Sequence, residues 1–147
     1  MIQTLAREYA QRVKTNLNED MDYARCIAQS FEAYRNIPSS NRKNIHNSIL
    51  KSISQNNPNF ISVWATFQFY AIDSTWKHEY GRERYTFYRE NGEIKYLEDQ
   101  LDLEGFNTSG LYYNIYKQAE EIVTDPYFIH IIIVKQIRYL KQVCVHL

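Results

Sequence analysis

The chain has 147 residues, 44% of them hydrophobic and 23% charged, and its seventeen basic and seventeen acidic side chains cancel. That is the composition of one globular domain with a workable core, and with no Lys/Arg run it argues against a nucleic-acid-binding module. The longest apolar run, Ile129 to Val134, is interrupted by His130 and falls far short of the roughly 20 residues a bilayer requires. Met1 to Arg7 lacks the apolar core of a signal peptide. Two classes stay open: a cytosolic protein, or a piece lying between membrane spans.

From Leu5 to Tyr34 the apolar residues fall at Leu5, Tyr9, Val13, Leu17, Met21, Ala24, Ile27 or Ala28, and Phe31. Steps of four and three describe one amphipathic helix about 45 Å long, with no glycine or proline to break it. Such a helix either lies across the domain or extends past the core as a dimer contact or mechanical connection. Pro38 ends it. Ser39-Ser40 then offers an N-cap for a second helix through about Ser54, with Ile45, Ile49 and Ile53 inward. Asn56-Asn-Pro-Asn59 reads as a turn, and Phe60 to Phe67 as a strand.

Asp73-Ser-Thr75 reads as a turn or loop before Tyr80-Gly81. Two alternating runs, Arg84 to Arg89 and Glu93 to Tyr96, flank Glu90-Asn91-Gly92 and predict a β-hairpin. Leu97 to Gly110 is polar and acidic and reads as loop; Leu111 to Glu121 reads as a short helix, and Ile122 onward as a further strand region. The order helix, helix, strand, hairpin, helix, strand is α+β with consecutive antiparallel strands.

Catalytic chemistry is hard to find. There is no phosphate-cradling glycine loop, no GxSxG and no HExxH, and the four histidines and two cysteines are scattered without metal-type spacing. Cys26 reads as a buried free thiol. No cofactor is implied, and the chain is read as a non-enzyme. What stands out is Phe60 to Phe128, which holds nine of the thirteen tyrosines and both tryptophans. Rings with polar tips line wet pockets, and they also serve as ordinary strand residues.

The order of these aromatic pieces resembles the double-Cache sensor domains of bacterial transmembrane receptors. The resemblance rests on Asn57-Pro-Asn-Phe60-Ile-Ser-Val-Trp64-Ala-Thr-Phe67, then Asp73, then Phe87-Tyr88-Arg89-Glu-Asn-Gly92. It continues with Tyr112-Tyr113 in place of the family's Trp-Tyr pair, and with Thr124-Asp125-Pro126-Tyr127. It implies a long N-terminal helix over residues 1–36 and a membrane-distal PAS-like module over residues 37–147, in which 129–147 are atypical. It also implies an extracytoplasmic location, a membrane-anchored native protein, and signalling by ligand-induced conformational change.

Carried over by motif, the ligand-binding residues are Trp64, Phe67, Tyr88, Arg89, Tyr112, Tyr113 and Asp125. Arg89 would clamp a carboxylate with its planar fork, the tyrosines would form walls with hydroxyl donors, and Asp125 would accept from an ammonium or hydroxyl. The ligand is a small molecule such as an organic acid or other polar metabolite, with no nucleic acid involved. Gly110 stands where amino-acid-binding members carry Arg, so the amino-acid motif is absent. The rival readings are a dimerisation module built on the N-terminal helix, and a small cytosolic enzyme.

Overall fold

The computed structural model describes residues 2–105, 111–118, 121 and 142–146. Helix α1 (Ile2–Glu32) runs unbroken for 31 residues and passes into a 3-10 turn over Ala33–Asn36. Helix α2 (Ser39–Asn56) follows. Its N-cap is Pro38 and no side chain caps it, so Ser39 and Ser40 are helical residues rather than caps. Pro38, with φ −51° and ψ 136°, sets the non-helical N-cap geometry itself, and its carbonyl accepts from the Asn41 amide at 2.9 Å.

The buried row of α2 is His46, Leu50 and Ser54, with Ile49 and Ile53 packed at its flank. Ile45, expected inward, is 38% exposed. The helix is rolled by one residue because the sheet grips the neighbouring row. The His46 ring stacks on Phe67 at 4.6 Å and 6°, and Arg89 takes the Ser54 carbonyl.

Strand β1 (Ser62–Gln68) leads into a single helical turn, α3 (Phe69–Ile72). Asp73 Oδ1 then accepts from both the Thr75 amide (2.8 Å) and the Thr75 hydroxyl (2.6 Å), the Asx turn that the Asp-Ser-Thr sequence favours. Strands β2 (Arg82–Glu90) and β3 (Glu93–Leu101) form the predicted hairpin. Asn91 and Gly92 have φ of 51° and 84°, the two left-handed residues that a two-residue turn matching strand twist demands. The strand continues through Leu97 to Leu101, where the acidic composition suggested loop. Each of these residues has a β2 partner, from Thr86 opposite Leu97 to Arg82 opposite Leu101, and backbone pairing outweighs local propensity.

Helix α4 (Leu111–Gln118) and strand β4 (Gln142–His146) complete the described elements. The sheet order is β3-β2-β1-β4; the first three strands are antiparallel, and β4 adds an edge parallel to β1. The molecule is therefore α+β with a long N-terminal helix. Apart from Gln142–His146, the atypical tail and the Thr124–Phe128 piece lie outside the described residues.

The core lies between the helices and one face of the sheet. Ile27 and Phe31 of α1, Leu50 of α2, and Phe60, Val63, Ala65, Phe67, Tyr85 and Phe87 form a single cluster. Only the C-terminal half of α1 contributes. Leu5, Tyr9 and Val13 are 55%, 58% and 58% exposed, so the apolar stripe continues uncovered beyond the domain. Cys26 is exposed rather than buried, since its neighbour Ile27 occupies the inward position and adjacent helical residues point about 100° apart. Among the described residues no helix is long and apolar enough to cross a membrane.

Candidate functional site

Side chains alternate across a strand, so residue parity decides which face each one serves. Val63, Ala65 and Phe67 enter the helix-side core. Ser62, Trp64, Thr66 and Gln68 therefore lie on the far face. Their β2 partners Tyr88, Thr86, Arg84 and Arg82 share that face. An ordinary two-layer domain leaves such a face wet. Here Ser62, Trp64, Thr66, Gln68, Thr86 and Tyr88 are all buried, and four of those six are polar.

Helix α4 is fastened to one end of this face. Gln68 Nε2 donates to the Tyr112 hydroxyl at 2.7 Å, and the Arg82 guanidinium lies 4.0 Å from the Tyr112 ring centroid. Gln68 and Arg82 are register partners, so one cross-strand pair holds both edge and face of the same ring. Tyr112 and Tyr116 stack at 6.2 Å and 10°, and the Tyr116 hydroxyl meets that of Tyr70 at 3.1 Å. That hydroxyl pair, with burial second, pushes Tyr70 up to about 12. Beyond the helix, the Glu121 carboxylate accepts from Arg25 Nε (2.8 Å) and Nη2 (2.7 Å), tying the chain after α4 to α1.

The far face is also incompletely satisfied. Gln68 is buried, its amide nitrogen fixed by Tyr112, and its Oε1 has no hydrogen-bond partner among the described residues; the same holds for Ser62 Oγ. A buried acceptor left open costs about 1–3 kcal/mol unless a water or ligand meets it. Next along the face, Arg84 is occupied, donating from Nη2 to Asp99 Oδ2 at 2.7 Å. Burial, ahead of the nearby Glu90 carboxylate, raises the Tyr88 hydroxyl.

Of the residues inferred from sequence, Trp64, Tyr88 and Tyr112 gather on this face. Tyr113 is half-buried and lies about 100° round α4 from Tyr112. Phe67 is on the opposite side, in the core between Phe31, His46 and Tyr85. Arg89 also turns to the helix side. Its Nε donates to the Phe60 carbonyl at 3.2 Å, its Nη2 to the Ser54 carbonyl, and its amide to the Ile61 carbonyl at 2.8 Å. It ties β2 to the end of α2 and to the residues just before β1. Asp125 lies outside the described residues.

The motif reading missed Ser62, Thr66, Gln68, Arg82 and Thr86. The signal was present: stepping by two from Trp64 reaches Thr66 and Gln68, polar residues in a strand whose other parity is wholly apolar. Among the described residues no three His, Cys, Asp or Glu side chains gather as a metal site requires. Comparison with protein-family models, with curated proteins and with solved structures finds no match.

Proposed function

We propose that the chain is a sensing module of the double-Cache type, the extracytoplasmic part of a transmembrane signalling receptor, and that it binds a small polar molecule on the far face of its sheet beneath α4. The observation that carries the reading is the buried polar face itself, with Gln68 Oε1 and Ser62 Oγ held open as acceptors and Arg82 beside Tyr112 as the cation. The motif order from Asn57 to Gly92, falling on β1 and the hairpin, supports the family side of it. Binding performs no chemistry. It favours the arrangement in which α4 is docked, and the effect is limited by the ligand's preference for that arrangement.

The test is a thermal-shift screen of organic acids, amines, sugars and purines, followed by calorimetry on any binder. A binder should lose at least tenfold in affinity with Gln68→Ala and with Tyr112→Phe, while Arg89→Ala retains it. A panel without a binder, or a binder indifferent to both far-face variants, removes the reading.

A second reading is favoured by α1. Leu5, Tyr9, Val13, Leu17 and Met21 stand four residues apart, a ridge of the kind that interdigitates with its own copy at a crossing angle of about −50°. The spacing is symmetric about Val13, as a two-fold contact between identical helices requires. In this reading the chain pairs with a second copy, with or without a ligand.

A further inference from the structure

The helix-side face carries a polar cluster that the proposed ligand site does not use. Glu83 of β2 is buried among core residues; its Oε2 accepts from the Tyr85 hydroxyl, and its carboxyl is in hydrogen-bonding contact with Glu98 of β3. Glu98 also accepts from Lys43 Nζ at 2.5 Å and from the Tyr96 hydroxyl at 2.9 Å, while Asn47 Nδ2 donates to that hydroxyl at 3.0 Å. Lys43 and Asn47 belong to α2. One carboxyl pair thus joins the helix to both strands of the hairpin.

Two carboxyls in contact do not ionise together without repulsion, and the half-exposed Lys43 supplies one positive charge for the pair. Glu98 receives the donors and takes the negative charge. Glu83, stripped of water, is the member for which the protonated form is favoured, and a proton held there would point to Glu98. We propose that this shared proton is a pH-sensitive latch between α2 and the hairpin, closed while Glu83 is protonated and loosened when it ionises.

The titration directions agree with this assignment. Burial first, and contact with Glu98 third after the opposing Tyr85 bond, leave Glu83 above its ordinary value; Lys43 foremost holds Glu98 below. Among the described residues the other charged or titratable groups in contact with the pair are Lys43 of α2, Tyr85 of β2 and Tyr96 of β3, while β1 places Phe67 opposite Glu83 and Ala65 opposite Tyr85. Tyr85 and Tyr96 are both raised, mainly by burial, and stay neutral. His46 is lowered to about 4 by burial, with Arg42 adding to it, and is neutral at pH 7.

For a carboxyl raised on folding, the folded state holds the extra proton. The contribution of Glu83 is therefore complete below about 4.5 and is lost as pH rises through the folded value. His46 acts in the opposite sense between about 6.5 and 4, and contributes no slope above that range. The difference between variant and wild type separates the two.

Thermal melts of the wild type and Glu83→Gln should be recorded from pH 5 to pH 9, alongside a carbon NMR titration of the wild-type carboxyls. Expected is a variant-minus-wild-type melting difference that climbs toward alkaline pH by about 3–5 °C. In the wild type, Glu83 should titrate above its ordinary value and perturb the Glu98 signal at the same midpoint. A melting difference constant with pH, or a Glu83 midpoint at or below 4.5, overturns the latch. If the variant does not fold, the wild-type titration decides alone.

Discussion

His46 sits between the rings of Phe31 (4.4 Å) and Phe67 (4.6 Å), almost wholly out of water. A base depressed from 6.5 to about 4 contributes stability that is complete above pH 6.5 and is lost as pH falls through the folded value. We expect about 2–3 kcal/mol of wild-type stability to disappear between pH 7 and pH 4 through this residue alone. Urea unfolding of His46→Leu should show that acid-side loss reduced by a similar amount. Arg89 makes a contrasting case. Arg89→Ala removes two bonds that tie β2 to the Ser54 carbonyl of α2 and to the Phe60 carbonyl just before β1, and should cost about 1.5–3 kcal/mol in chemical denaturation. Arg89 also marks where sequence reading stopped. Trp64 and Phe67 are three apart, and Tyr88 and Arg89 are adjacent, so each pair straddles the sheet; a motif lists them together, and the pleat separates them.

At the scale of elements, long periodic signals were legible and their exact partners were not. Helix α1 follows from its stripe, and the hairpin from Asn91-Gly92 between alternating runs. Gly92 has open space where a Cβ would stand, so Gly92→Ala should cost only the left-handed backbone penalty, about 1 kcal/mol, seen as a lower urea midpoint at unchanged slope. Strand β3 past Tyr96 was illegible because Asp99 interrupts the Leu97–Leu101 face, Glu98 and Gln100 make the other polar, and strand geometry comes from the β2 ladder. The roll of α2 was illegible for a related reason. Two adjacent rows were available, and the choice between Ile45 and His46 lies in what Phe67 and Arg89 offer across the gap.

At the scale of the whole molecule, the sequence indicated a sheet bearing aromatic residues on a helical scaffold, and the structure distributes them between two faces with different work. The helix face is an apolar core with one carboxyl latch; the far face is buried but polar, with α4 held on it through Gln68 and Arg82. The uncovered stripe of α1 bears on association. If a second copy covers it, Val13→Asp should convert a dimer to a monomer in sedimentation equilibrium while far-ultraviolet dichroism is kept; a wild type that sediments as a monomer at high micromolar concentration removes that pairing.

The anchoring of α1 has a mechanical consequence. Ile27 and Phe31 clamp the C-terminal end of a 31-residue rod, and about 37 Å of it extends past the last buried residue. Such a cantilever multiplies angle into distance: a tilt of about 5° at the clamp sweeps the exposed end through about 3 Å. The clamp region is also touched at two further points, by Phe67 of β1 against Phe31 and by Glu121 against Arg25. A small tilt at the clamp is thus magnified into a lateral displacement at the far end of the rod.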